Sequence, residues 1–227
     1  MQDKFPPGSF SREDERPDSE FYAEPRLVQH IDDYAIRAVG EAYRQFLPPD
    51  GEYLDLMSSW VSHFPEDMPV RRLVGLGMNE VELARNPRLA EYVVHDLNAD
   101  PKLPFADARF DGVVIAVSVQ YLTRPIEVFA EIGRVLKPGA PLVVCYSNRC
   151  FPTKAVRIWN ALEDREKADL IAMYILGAGM FEPPEYHDFS PARTLIGVPM
   201  QDWQRVRSGQ LYTDPLYVVV ARRRQDA

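Results

Sequence analysis

The sequence predicts an α/β fold built on a mostly parallel sheet, and three observations carry that prediction. Between Leu103 and Asn148 the chain reads as one strand–helix–strand unit, LPFADARFDGVVIAVSVQYLTRPIEVFAEIGRVLKPGAPLVVCYSN. Its two strands, Asp111 to Val117 and Pro141 to Tyr146, are continuous apolar runs, the pattern of strands covered on both faces. Next, four expected strands end at Asp55, Gly77, Asp96 and Val117, and open α/β sheets place their ligands outside such carboxyl ends. Finally, 227 residues with 46% hydrophobic content suffice for one α/β domain with a full core.

The elements follow in order. Residues 1–20 are polar, with Pro6-Pro7 in tandem and a mixed-charge run from Arg12 to Arg16, and read as an irregular, mobile arm. From Phe21 onward Leu27, Ile31, Tyr34, Ala35, Ala38, Ala42 and Phe46 recur at helical spacings and predict one or two amphipathic helices up to residue 47, with Asp32 as an N-cap. Pro48 to Gly51 is a turn, Glu52 to Leu56 a strand and Arg72 to Gly77 another. Met78 to Ala84 reads as a short helix ended by Asn86-Pro87, and Tyr92 to His95 as a strand. Pro125 opens the next helix, which Lys137-Pro138-Gly139 stops with a cation, a breaker and a φ-permissive residue. Thr153 to Leu162 and Asp164 to Leu176 are expected helical, Glu185 to Phe189 an edge strand, Pro191 to Leu211 a loop insertion, and Pro215 to Arg222 a last strand.

A net charge of −8 and a pI near 5.1 argue against a surface built to neutralise phosphates, so nucleic acid is not an expected partner. No apolar run reaches the length of a membrane span and no basic-then-apolar leader is seen, so the expected location is cytoplasmic. Cys145 reads as core and Cys150 lies nearer the ligand edge; two thiols make neither a disulfide framework nor a zinc site. His30, His63, His95 and His187 are too scattered for metal-ligand spacing, and no metal is expected.

The wording LPF-x-D-x-x-FD, then strand, helix, VLKPG and strand, resembles the class I S-adenosylmethionine-dependent methyltransferases, especially their small-molecule group, over roughly Leu54 to Asn148. The resemblance implies a Rossmann-like, seven-stranded, mostly parallel sheet with an antiparallel last strand and helices on both faces. It implies S-adenosylmethionine as cofactor, a small-molecule substrate, and a single domain over residues 21–224. Residues 21–47 would be a lid over the cofactor pocket, with Tyr22, Arg26 and His30, beside Phe21, facing the substrate. The other reading of Tyr22 and His30 is that they pack the lid against the sheet.

Two departures stand out. Where the family has D-x-G-x-G-x-G, this chain has Asp55-Leu56-Met57-Ser58-Ser59-Trp60-Val61, so the acid survives and all three glycines are replaced. Side chains where φ is positive cost roughly 1–2 kcal/mol each, and Ser58 and Ser59 are expected to compensate by capping a following helix. Where the family has an acid for the ribose hydroxyls stands Gly77, with Asn79 or Glu80 as substitutes. Met78 resembles the residue against the adenine, and Asp96-Leu97 the pair that binds its amino group and ring; a turn cap is the other role for Asp96. Val117 closes the cofactor site. Ser118, Gln120 and Tyr121 stand where relatives keep polar or aromatic groups near the transferred methyl, so Tyr121 and Gln120 are the catalytic candidates, unless Tyr121 packs the helix start. Three readings stay open: a methyltransferase, a binding protein of the same fold, or another nucleotide enzyme such as a dehydrogenase.

Overall fold

The computed structural model describes residues 5–226. The first helical turn, α1 (Asp18–Phe21), leads through an irregular segment to α2 (Asp33–Phe46), which starts where predicted: Asp32 Oδ1 accepts from the N–H groups of Tyr34 and Ala35 at 2.9 and 2.8 Å. Ala35, Ala38, Val39, Ala42 and Tyr43 form its buried stripe. Then come β1 (Gly51–Leu56), β2 (Val70–Gly77), α3 (Glu80–Arg85), β3 (Glu91–Val94), β4 (Gly112–Ala116), α4 (Pro125–Val135) and β5 (Pro141–Tyr146). After them follow α5 (Arg157–Asn160), α6 (Asp164–Ala178), β6 (Glu185–Asp188), α7 (Pro191–Thr194), α8 (Trp203–Arg207) and β7 (Tyr217–Arg222).

The strands form one sheet in the order β3-β2-β1-β4-β5-β7-β6. Pairs β1–β2, β1–β4, β2–β3 and β4–β5 are parallel, whereas β7 runs antiparallel to both β5 and β6. This is the expected seven-stranded sheet with its last strand reversed. Successive side chains of a strand point to opposite faces, and the core divides accordingly. Val113, Ile115, Leu142 and Val144 pack with Phe129, Ile132 and Ile171 of α4 and α6, while Val114, Val143 and Cys145 pack with Ala38, Val39 and Ala42 of α2. Strand order reverses beside β1, which lies between β2 and β4, and so the carboxyl ends of β1 and β4 flank the crevice that such a switch point creates.

Several expectations change. The segment expected helical over Thr153 to Leu162 is helical only as α5: before it the Thr153 carbonyl accepts from Asp14 N–H of the arm, Val156 N–H donates to the Gln120 carbonyl, and Lys154 and Ala155 N–H turn back on the Phe151 carbonyl. Pro191 to Leu211 holds α7, α8 and a 3-10 turn at Met200–Asp202 rather than a plain loop. The arm read as mobile is irregular in conformation yet packed along its described part, since residues 1–4 lie outside the description. Asp14 N–H donates to the Thr153 carbonyl (2.8 Å), and Phe5 and Phe10 both lie 6.0 Å from the Tyr174 ring. Arg12 clasps Asp18 at 2.7 and 2.9 Å, and the fully buried Lys154 reaches Asp18 at 3.2 Å and the Arg16 carbonyl at 2.6 Å. A charged run reads as solvated only while its counter-ion, here some 140 positions away, stays out of view.

Candidate functional site

The loops leaving β1 to β5 and the lid segment over residues 22–31 enclose a cavity of about 480 Å³. Its wall contains Tyr22, Arg26, His30, Asp55, Met57, Ser58, Ser59, Gly77, Met78, Asp96, Leu97, Val117 and Tyr121, whereas Phe21, Glu80 and Gln120, also expected to bind or act, do not line it. That glutamine is buried at 1% exposure, and its side-chain N–H donates to the Val117 carbonyl at 2.8 Å. Val117 has φ 52°, a costly conformation for a β-branched residue, so Gln120 braces strained backbone from behind the cavity wall, with its Oε1 left unpartnered.

The loop after β1 departs furthest from expectation. No helix follows Ser58 and Ser59, because residues 57–69 run irregularly into β2. Met57 takes φ 58° at a former glycine position. With no helix to cap, the serines serve carboxylates. Ser58 and Ser62 hydroxyls donate to Asp55 Oδ2 at 2.7 and 2.5 Å, and the Ser59 hydroxyl donates to Glu82 Oε2 at 2.5 Å. Burial pushes the Asp55 carboxyl up to about 6 against the lowering pull of those two hydroxyls.

The same loop explains Gly77. A Cβ there would collide with the Ser58 carbonyl oxygen, a backbone atom that cannot swing aside. Gly77→Ala is therefore expected to destabilise the protein by about 1–3 kcal/mol through overpacking, and Gly77→Asp, which would restore the family's acid, by at least as much. Urea denaturation midpoints check this; a Gly77→Asp variant as stable as the parent would refute it.

Neither proposed substitute for that acid holds the position. Asn79 is consumed: its Oδ1 accepts from Glu82 N–H at 3.1 Å, and its Nδ2 donates to the Tyr22 and Ala23 carbonyls at 2.9 and 3.1 Å, tying the lid to α3. Glu80 is exposed and outside the cavity. The acid that does line it is Glu82, 8% exposed, whose Oε1 accepts from Arg26 N–H at 2.6 Å. Asn79-x-x-Glu82 is legible as a helix-start signature, a signal for α3 rather than for a site. Asp96 Oδ1 caps the turn, accepting from Asn98 and Ala99 N–H at 2.9 and 3.2 Å, and the residue also lines the cavity with Leu97 and Met78.

At the β4–β5 side, Tyr121 Oη accepts from Phe151 N–H at 2.8 Å, and burial pushes the phenol up to about 12. Asn98 Nδ2 donates to the Tyr121 carbonyl at 2.9 Å and to Asp18 Oδ2 at 2.7 Å, linking the arm to this corner. Arg26 stacks 4.4 Å above Phe21 and 5.4 Å from Phe151, and His30 lies 5.3 Å from Phe151. Burial raises the Tyr22 phenol and lowers His30. His63, absent from the sequence-based candidates, is half-buried in the cavity wall, with burial pushing it down to about 4 and Nδ1 unpartnered; the buried Ser118 Oγ is unpartnered too.

Charge sorts the cavity. Asp18 is neutralised by Arg12 and Lys154, whereas Asp55, Glu82 and Asp96 have no ion-pair partner among the described residues. Three such carboxylates suit a cationic ligand. Among the described residues no group of His, Cys, Asp and Glu is placed to hold a metal, and no helix is long and apolar enough to cross a membrane.

A family model described as a methyltransferase domain matches residues 62–144. The chain is 41% identical over 69 residues to a demethylmenaquinone methyltransferase from Renibacterium salmoninarum, covering 30% of this chain and 27% of that one. It spans less than half the length of the curated relatives it matches, 15 to 41% for three of them. Among solved structures, the 4+2 cyclase SpnF superposes with a TM-score of 0.58 at 18% identity, covering 91% of both chains. A SAM-dependent methyltransferase from Archaeoglobus fulgidus superposes at 0.56 and 16% identity over 85% of this chain and 95% of that one.

Proposed function

We propose that this chain, whose residues 62–144 match a methyltransferase-domain family model and whose fold is that of a solved S-adenosylmethionine-dependent methyltransferase, is an enzyme that moves a methyl group directly from S-adenosylmethionine to a small molecule. The observation that carries the reading is the trio of unpaired carboxylates, Asp55, Glu82 and Asp96, along one cavity. S-adenosylmethionine brings a sulfonium and an ammonium against a single carboxylate, so a wall with an excess of anions suits it. The cavity volume of about 480 Å³ is also in the range of small-ligand pockets. Asp55 and Glu82 would take the ammonium and ribose hydroxyls, and Asp96, Leu97 and Met78 the adenine. Ser58 and Ser59 hold the two carboxylates in place, and Met57, Gly77 and Val117 contribute backbone and wall.

When bound, the cofactor supplies an electrophilic methyl carbon. What the protein adds is position, since in-line transfer needs the acceptor atom held about 3 Å from that carbon. Tyr121 fixes Phe151 through its hydroxyl, and Phe151 in turn backs Arg26 and His30 of the lid. The lid excludes water. Burial keeps both phenols protonated and leaves His63 a weak base, so the acceptor is a thiol, an amine or an acidic hydroxyl that arrives already nucleophilic.

The test couples binding to turnover. Thermal-shift titration with S-adenosylmethionine and its demethylated product reads cofactor binding, and release of that product with a panel of thiols, amines and phenols reads transfer. Tyr121→Phe, which loses the bond from Phe151 N–H, is expected to lower turnover roughly tenfold, about 1.4 kcal/mol, with cofactor affinity nearly unchanged. A cofactor-binding protein that releases no product with any acceptor would support the second reading, a non-catalytic binding protein of this fold, which the helix-less loop after β1 favours.

A further inference from the structure

We infer that the methyl acceptor carries an anionic group of the carboxylate class and that Arg26 is the residue that takes it. The inference rests on the methyltransferase reading for the word acceptor, but the anion site stands on its own geometry. Among the described residues Arg26 has no carboxylate partner: Nη2 donates to the Phe21 carbonyl at 2.8 Å, and Nη1 has no partner at all. Its backbone N–H, not its guanidinium, is what Glu82 holds. Arginine cannot shed its charge, so a guanidinium drawn into a cavity wall without a counter-ion leaves a donor to be satisfied, at a cost of the kind that buried unpaired groups carry.

Position assigns that donor to the acceptor rather than to the cofactor. The three unpaired acids lie on or beside the carboxyl ends of β1, β2 and β3. The guanidinium lies instead against Phe21, Tyr22 and Phe151, at 4.4, 5.7 and 5.4 Å from the ring centres. Phe151 follows β5, bonds to Tyr121 through its N–H and stands 6.1 Å from the Tyr121 ring. On that side the wall is aromatic and carries the fixed cation, with Ser118 Oγ unpartnered nearby in sequence and cavity. A flat apolar body ending in a carboxylate meets both demands, because the rings receive the body while a planar guanidinium matches a carboxylate fork. The other cation at the rim, Arg149, already leans on Asp214 at 3.4 Å.

The experiment is calorimetric titration of the full chain, saturated with S-adenosylhomocysteine, by benzoate, phenylacetate and 3-phenylpropionate, each against its uncharged amide. At least one acid is expected to bind ten times or more tighter than its amide in the parent. That preference is expected to vanish in Arg26→Gln and to return in part in Arg26→Lys, which keeps the charge without the fork. Thermal melting confirms that each variant is folded, the Arg26 main-chain bond to Glu82 being untouched. Acids no better than amides, or a preference that survives in Arg26→Gln, would overturn the inference. So would a tenfold loss of S-adenosylhomocysteine affinity in Arg26→Gln with acids competing against that product, since Arg26 would then serve the cofactor. Failure of S-adenosylhomocysteine to bind, with the acid preference intact on the unliganded protein, would instead remove the methyltransferase reading and leave the anion site standing.

Discussion

Asp18→Ala is expected to cost about 3–5 kcal/mol of stability, because it takes the nearest carboxylate from a fully buried lysine. Lys154 is 0% exposed and Asp18 5%, so the pair lies away from bulk solvent. Lys154 would keep the Arg16 carbonyl at 2.6 Å and the Asp14 carbonyl at 3.2 Å, neither of them charged, and the Asp14 carboxylate only at 3.8 Å, where Arg16 already holds it. Lys154→Met should be milder, since Asp18 retains Arg12 and Asn98. The double variant Asp18→Leu with Lys154→Met should be more stable than the sum of the single losses, by more than about 1 kcal/mol, as expected for groups in one network. Urea unfolding of the four proteins reads all of this. A loss below about 1 kcal/mol in Asp18→Ala would mean that the arm does not bury its charges as described. Because Asn98 joins Asp18 to the Tyr121 backbone, the same variant should also loosen the aromatic corner of the cavity.

Asp55→Asn works in the opposite direction, and its effect depends on pH. Burial raises the Asp55 carboxyl from 3.8 to about 6, so its favourable contribution is complete below pH 3.8 and is lost as pH rises through 6. At pH 8 the ionised group costs on the order of 3 kcal/mol, at about 1.4 kcal/mol per unit. The amide keeps an acceptor for Ser58 and Ser62, carries no charge, and should make the unliganded protein more stable at pH 8 while weakening S-adenosylmethionine. His63 behaves inversely. Its descent from 6.5 to about 4 gives stability that is present above pH 6.5 and lost as pH falls through 4. In the parent the two trends offset one another between about pH 4 and 6, whereas Asp55→Asn leaves the histidine slope exposed. Denaturation midpoints at pH 8 and pH 4.5 separate the cases. An asparagine variant less stable than the parent at pH 8 would show that Asp55 is not held against its own charge.

What was legible in the sequence was what local pattern encodes. Pro141 to Tyr146 is a strand to the residue, Pro125 opens α4 and Asp32 caps α2. The strand-end residues Asp55, Gly77, Asp96 and Val117 do converge on one cavity, because a parallel sheet gathers its carboxyl ends whatever the loops do. The loop after β1 differs from expectation at Ser58 and Ser59, since two serines just past a strand look alike whether they cap a helix or bind an acid. Glu82, His63, Asp18 and Lys154 were missed for a different reason. Each acquires its role from a group far off in the chain, as when Glu82 takes Arg26 N–H across 56 positions and Lys154 takes Arg16 across 138.

The sheet order also constrains the sequence of events during synthesis. β7 lies between β5 and β6, so β6 has nothing to pair with, and β5 keeps a bare edge, until Tyr217 to Arg222 have been made. The half containing β1 to β4 can assemble on the ribosome as it emerges. Its β5 edge then waits, apolar and unpaired, for a strand that arrives last and closes both gaps at once. Such an edge is a template for the wrong partner. Nascent chains stalled before Tyr217 are therefore the form of this protein most exposed to chaperones and to aggregation, and a few residues at that end govern the fate of the whole sheet.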